Sequence, residues 1–303
     1  MVILKIIRKI LLLGSSGLAG KSFYNELKKR GFKVYGVARK NADIEQDLKD
    51  FDKLQTILKK SKPDLIINCA AKVDLNFCEK FPGESWLINS ALVSILTNWS
   101  ISMQIPFLQI STDHFFCGNG PIKNKEEADV FLINNYSRQK YSAEFFALIS
   151  KFTLVIRTSF SGIRGWEEKT FAEWALDIVN NDTPGNLYVD AWTSTIDVTS
   201  LVNIALELLL EHQYFGLINI GASEVYSKAA FVEELAKQKR VILKNTNKVS
   251  IFSQDKLRPN SLGLDVSKVE RILGYQMPDL KNVISKIISQ ETDNEILHDT
   301  SNK

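Results

Sequence analysis

Five short apolar runs, Lys9–Leu13, Phe32–Val37, Asp64–Asn68, Phe107–Ser111 and Leu154–Arg157, punctuate the first half of the chain. Their centres lack polar alternation, as expected of strands buried on both faces. Between them, Phe51, Leu54 and Leu58 recur at helical spacing, as do Trp86, Leu92, Val93 and Leu96. Strand and helix in alternation predict an α/β fold with a doubly wound parallel sheet. After about residue 158 the rhythm loosens. Helices are expected near Phe171–Val179, Val198–Leu210 and Ser227–Lys237, with a strand at Leu217–Ile220. This gives a first domain over 1–158 with returning segments near 187–225. A smaller C-terminal α/β substrate-binding region takes about 159–186 and 226–289 and caps the carboxyl ends of the strands. The polar stretch from Gln290 onward, without periodicity, reads as a frayed tail over 290–303.

Composition narrows the function classes. At 45% hydrophobic and 24% charged residues, a chain of 303 residues has ample material for a core. Its net charge of +3 is too small for a nucleic-acid footprint, so an acidic ligand must be bound locally. Three Cys and three scattered His form neither a disulfide framework nor a metal-ligand spacing. A reducing, cytoplasmic setting and no metal are the expectation. Lys5, Arg8 and Lys9 interrupt the apolar start and leave only Ile10–Leu13 uncharged before Gly14, which argues against a secretory signal. No stretch approaches the ~18 apolar residues of a membrane span, so no membrane partner is expected. The sequence gives no access to oligomeric state, and a homodimer stays open.

Gly14-Ser15-Ser16-Gly17-Leu18-Ala19-Gly20 follows the first run and opens a helix with Leu18, Phe23 and Leu27 on its inner side. Glycines at that junction let backbone approach a pyrophosphate, while free N–H groups and the helix dipole favour its charge. Gly14, Ser16, Gly17, Leu18 and Gly20 are therefore candidate cofactor contacts in a Rossmann-like domain. The second run ends in Gly36-Val37-Ala38-Arg39-Lys40, without the carboxylate that would hold a ribose 2′-hydroxyl. Arg39 or Lys40 would pair with a 2′-phosphate, favouring NADPH while leaving NADH open. Asp47 and Leu48, read as the start of the next helix, would meet the adenine edge.

Tyr-x-x-x-Lys sets a phenol and an ammonium one helical turn apart, where the cation favours a phenolate. The pattern occurs twice. Tyr24/Lys28 lies in the helix after the glycine loop, on the wrong side of the phosphates, and reads as helix surface. Tyr136/Lys140 opens a helix after the fourth run, which ends in Ile110-Ser111-Thr112-Asp113 at the sheet edge where such folds bind ligands. Thr112 would hold a substrate oxygen that Tyr136 protonates, an arrangement suited to carbonyl reduction. His114 and Cys117 share this loop but lack a third metal ligand.

With these motifs the chain resembles the dTDP-4-dehydrorhamnose reductase family of the extended short-chain dehydrogenase/reductase superfamily. The resemblance runs over GSSGLAG at 14–20, KPDLIINCAA at 62–71, CEKFP at 78–82, ISTDHFFCG at 110–118, NNYSRQK at 134–140, VIRTSF at 155–160 and RPNSLGLDVSK at 258–268. It implies an enzyme that reduces the C4 ketone of a nucleotide-activated 4-keto-6-deoxyhexose for surface polysaccharide or deoxysugar synthesis. By the same resemblance, Tyr136 matches the proton donor, Lys140 the ribose-binding lysine and Thr112 the hydroxyl partner. Ala70 and Ala71 match backbone lining the cofactor, and Arg258 matches a contact to the substrate diphosphate. Asp113, His114, Phe160 and Trp192 complete the expected substrate side. The chain departs from the family pattern at His114, where Tyr is usual, at Cys117, and at Phe160 in place of Trp. Leu75-Asn76-Phe77-Cys78-Glu79 and Asp190-Ala191-Trp192-Thr193-Ser194-Thr195, the latter without Gly or Pro, also differ. These departures cluster on the sugar side and bear on substrate identity. The alternatives are a reductase or epimerase of another nucleotide sugar, or a non-catalytic NADP-binding regulatory subunit, since the family also resembles the regulatory beta subunit of methionine adenosyltransferase.

Overall fold

The computed structural model describes residues 6–166, 168–253 and 259–301. In chain order the elements begin β1 Lys9–Leu13, α1 Leu18–Lys29, β2 Lys33–Ala38, β3 Ile44–Glu45, α2 Phe51–Ser61 and β4 Leu65–Asn68. Then come α3 Leu75–Lys80, α4 Pro82–Trp86, a π turn at Leu87–Ala91, α5 Leu92–Met103, β5 Phe107–Ile110, α6 Asn135–Leu148 and β6 Thr153–Thr158. The second half holds β7 Phe160–Ser161, α7 Phe171–Asn181, β8 Gly185–Tyr188, β9 Trp192–Thr193, β10 Ile196–Asp197, α8 Val198–Leu210 and β11 Gly216–Ile220. It closes with β12 Tyr226–Ser227, α9 Lys228–Lys239, β13 Thr246–Val249, β14 Ser261–Leu262, α10 Ser267–Leu273 and α11 Leu280–Ser301. Among the described residues, no helix is long and apolar enough to cross a membrane.

A seven-stranded sheet runs in the order β11-β6-β5-β4-β1-β2-β3. Pairing is parallel from β6 through β5, β4, β1 and β2 to β3. The order reverses beside β1, the switch point at which open α/β sheets form a ligand crevice at their carboxyl ends. The five apolar runs are five of these strands, and Ile10–Leu13, Leu65–Ile67 and Phe107–Leu108 are fully buried. Buried Leu54 and Leu58 of α2, Leu92, Val93 and Leu96 of α5, and Ala143 and Ala147 of α6 pack against them in one cluster. Each of these leucines and the valine contributes about 1.5–3 kcal/mol by leaving water. The short β3 edge escaped the sequence reading. It is held where the Asp43 carboxylate accepts Gly36 N–H at 2.8 Å and the Tyr24 hydroxyl at 2.9 Å.

The chain divides into two compact units. The first comprises the described residues up to Thr112 with 132–157 and 202–218; the second comprises 113–131, 158–201 and the described residues from Asn219 on. The expected boundaries shift in three places, the simplest being 219–225, which belongs to the second unit. Segment 113–131 joins the second unit, where Asn124 donates to the carbonyls of Ser261 and Gly263 and Glu126 accepts Asn219 N–H. Segment 187–201 joins it too, drawn in by β10–β7, β9–β12 and β9–β14 pairing. The stretch from Gln290, expected to fray, continues α11 to Ser301. Gln290 donates to Thr199 Oγ1, and Glu291 accepts from Lys239 at 2.6 Å and Asn180 at 2.6 Å, giving this polar segment partners that periodicity does not reveal.

Candidate active site

The glycine loop connects β1 to α1, and its three glycines have different duties. Gly14 has φ of +75°, and a Cβ there would lie 2.7 Å from Ala70 N. At Gly20 a Cβ would lie 2.0 Å from Gly14 O. Both are glycine because the loop folds onto itself and onto the end of β4. Gly17 is otherwise: it is the N-cap of α1, extended at φ −71° and ψ 170°, with Gly14 O 3.4 Å from its notional Cβ. The cap makes no side-chain hydrogen bond and the first turn holds no acidic residue. Helix amides left without a side-chain cap and without a nearby carboxylate fit an anionic group. Ser15 Oγ, buried in the same loop, has no hydrogen-bond partner, while Ser16 and Leu18 are half-buried.

Arg39 and Lys40 are exposed immediately after β2, free of the sheet's packing. Asp47 and Leu48 require correction, since they do not begin a helix. The helix starts at Phe51, and Asp50 is its cap, accepting Lys53 N–H at 3.1 Å. Asp47 accepts Lys49 N–H, and Leu48 is a core residue packed in the sheet cluster rather than an exposed edge. Ala70 is half-buried, its N–H donating to Asn68 Oδ1 at 3.1 Å, and Ala71 is exposed.

Thr112 is buried at the end of β5, with Ser111 N–H held by Ile156 O at 2.7 Å. Helix α6 is started by a reciprocal cap between Asn134 and Ser137, which fixes Tyr136 in the first turn. Tyr136 and Lys140 are both buried on one face of α6. The Lys140 ammonium donates to Ile110 O at 2.7 Å, two residues before Thr112. Burial lowers its pKa to about 8, opposed by Glu144 and by Cys69. Tyr24/Lys28 is unlike this pair: Lys28 is exposed, its Nζ 5.9 Å from the Tyr24 ring centre, and the Tyr24 hydroxyl serves Asp43.

Two polar groups around α6 escaped the sequence reading. Glu144 receives Arg157 Nε at 3.0 Å, Arg157 Nη2 at 2.7 Å and Ser111 Oγ at 2.6 Å, all buried. Asn89, carried by the π turn, pairs with both backbone groups of Lys72 and with Gln139 Oε1 at 2.8 Å. Gln139 donates onward to Ser85 Oγ and Pro82 O. The loop after β4 is thus joined to the turn of α6 between Tyr136 and Lys140.

In the second unit, Asp113 is buried and its carbonyl accepts Phe115 N–H at 2.6 Å, while His114 is half-buried. Phe160 is half-buried in β7 opposite Ile196, and Trp192 is half-buried in β9 between Ser227 and Ser261. Beside Trp192, the hydroxyls of Thr193, Thr195 and Ser159 form a chain with spacings of 2.8 and 2.9 Å. Arg258 lies outside the described residues.

Comparison with known proteins agrees with this architecture. The RmlD substrate binding domain family matches residues 8–292. A probable low-salt glycan biosynthesis reductase of Haloferax volcanii is 24% identical over 286 residues, covering 90% of this chain and 95% of its own. A dTDP-4-dehydrorhamnose reductase of Aggregatibacter actinomycetemcomitans is 25% identical over 300 residues, covering 92% and 98%. The crystal structure of dTDP-4-dehydrorhamnose reductase from Bacillus anthracis in complex with NADP superposes with a TM-score of 0.82 at 20% identity, covering 94% of this chain and 98% of that one. With the match running over nearly all of its length, the chain belongs to the RmlD substrate binding domain family.

Proposed function

We propose that this chain is an NADPH-dependent reductase acting on the ketone of a nucleotide-activated 4-keto-6-deoxyhexose, with dTDP-4-dehydrorhamnose as the first substrate to test. The observation that carries the reading is the buried Tyr136–Lys140 pair, its lysine donating to Ile110 O two residues before Thr112, at the carboxyl end of β5. Supporting it are the family match and the open N-terminus of α1.

The amides around Gly17 and Leu18 would hold the pyrophosphate, Arg39 and Lys40 the 2′-phosphate, and Lys140 a ribose hydroxyl. When bound, NADPH supplies a hydride for the carbonyl carbon. Tyr136 donates its phenolic proton to the carbonyl oxygen, so that carbon and oxygen together gain the two atoms that make an alcohol. Thr112 donates a hydrogen bond to that oxygen and holds it toward the phenol. The Lys140 ammonium stabilises the phenolate left on Tyr136, which recovers its proton from solvent. A cytoplasmic site of action suits three free cysteines, Cys69, Cys78 and Cys117.

The test mixes purified protein, NADPH and dTDP-4-dehydrorhamnose, and follows nicotinamide absorbance together with the sugar product. Formation of dTDP-rhamnose with stoichiometric NADPH loss is the expected result. NADPH binding without turnover on this or other nucleotide keto-sugars would overturn the reading in favour of a binding subunit.

A further inference from the structure

Resting on that reading, we propose that Glu144, clamped by Arg157 and Ser111, is a positioning residue that holds Lys140 charged and fixed against the end of β5. Tyr136, Lys140 and Glu144 are spaced i, i+4 and i+8, so one buried stripe of α6 carries phenol, ammonium and carboxylate in succession. Arg157, from β6, engages both oxygens of Glu144, through Nε at 3.0 and 3.2 Å and Nη2 at 2.7 Å. Ser111 Oγ adds a third element at 2.6 Å, from the end of β5. The carboxylate therefore ties α6, β6 and β5 together one turn beyond Lys140. Its reach includes the residue next to Thr112, and Lys140 itself donates to Ile110 O on the same strand.

A charge cluster this deep has a poor rationale as stability alone. Taking both ions out of water offsets most of their attraction, and well-packed apolar residues commonly serve as well. Its consequence for Lys140 is specific. The groups that act on that ammonium are Glu144 on α6, with Arg157 behind it, and the Cys69 thiol after β4; Tyr136 lies one turn earlier on the same buried stripe. Burial pushes the Cys69 thiol up to about 12, so it is the lesser of the two groups that oppose desolvation of the ammonium. Glu144 is thus the main negative charge that counters desolvation of the ammonium. A carboxylate shared with Arg157 can do so without drawing Lys140 away from the strand end.

The test titrates Lys140 directly in the cofactor-free protein, by NMR of ¹³Cε-labelled lysines assigned with Lys140→Met. Wild type should titrate near 8. In Glu144→Gln the midpoint should fall by about one unit or more, and the alkaline limb of turnover should fall with it. Should loss of the carboxylate beside Arg157 prevent folding of that variant, the charge-balanced E144Q/R157Q pair removes the difficulty and is expected to lower the midpoint likewise. A folded variant of either kind that titrates as wild type does, whatever its melting temperature, refutes the positioning role and leaves a merely structural pair. Because the readout needs neither NADPH nor sugar, a shifted midpoint without reductase turnover would keep this inference and discard the assigned reaction.

Discussion

Gly17→Ala separates binding from folding at the glycine loop. Gly17 has φ of −71° and ψ of 170°, a conformation that alanine adopts freely, and its notional Cβ meets only Gly14 O, at 3.4 Å. Alanine is a poorer N-cap than glycine by up to about 1 kcal/mol, while loss of glycine's freedom in the unfolded chain returns roughly 0.4–1 kcal/mol. Stability should therefore change little. A pyrophosphate resting on the helix amides has no such tolerance, because the methyl group holds it away from its donors. Weakening one charge-assisted hydrogen bond costs about 1.5–3 kcal/mol, so the NADPH Kd should rise roughly 10- to 100-fold. Gly20→Ala supplies the contrast. Its Cβ would lie 2.0 Å from Gly14 O, so the loop must move, and affinity and melting temperature should fall together. Isothermal titration with NADPH beside thermal unfolding reads both quantities. A Gly17→Ala protein with wild-type Tm and wild-type affinity would refute the assignment of this loop to a dinucleotide.

Tyr136→Phe should lower turnover at least about 100-fold, the scale of one general acid, with NADPH affinity kept; unchanged turnover in a stopped-flow assay sinks the proton-donor role. Arg39→Ala should weaken NADPH about tenfold or more while sparing NADH, as loss of a charged phosphate contact would; equal losses for both, measured by fluorescence titration, would remove Arg39 from cofactor choice. For Lys140, burial lowers the folded-state pKa from 10.5 to about 8, so between these values the unfolded chain binds more protons and stability rises with pH. Relative to Lys140→Met, wild type should gain on the order of 3 kcal/mol across that window, read by urea unfolding at stepped pH; a flat difference would mean the ammonium is not desolvated.

The sheet was legible because buried parallel strands leave a one-dimensional signature, apolar runs without alternation. β3 was not, since its two residues, Ile44 and Glu45, pair with Val37 and Ala38 beside Asp43, a side chain whose partners lie seven and nineteen residues away. Asp47 and Leu48 were read as the start of a helix that in fact begins at Phe51, because Asp50 offers the same capping chemistry three residues later, and only the backbone path tells them apart. At the site, Tyr136 and Lys140 could be read from spacing and from their place after the fourth run. Glu144 was available by the same logic: it continues their stripe by one turn, and Arg157, a charge inside a buried strand, demanded a partner. Asn89 carried no such sign, because a π turn brings it to Lys72 and Gln139.

The Asp43 bond also bears on how the molecule behaves in a crowded solution. An outermost strand ordinarily exposes amides on which a foreign strand can grow. Here β2 gains only two residues of cover, Ile44 and Glu45, and the Gly36 amide just before them is closed by a carboxylate. A strand approaching from outside would have to bring carbonyl oxygens toward that fixed negative charge. A single aspartate thus adds charge repulsion along this side of the sheet, and replacing it by alanine should make sheet-mediated association of the native protein easier.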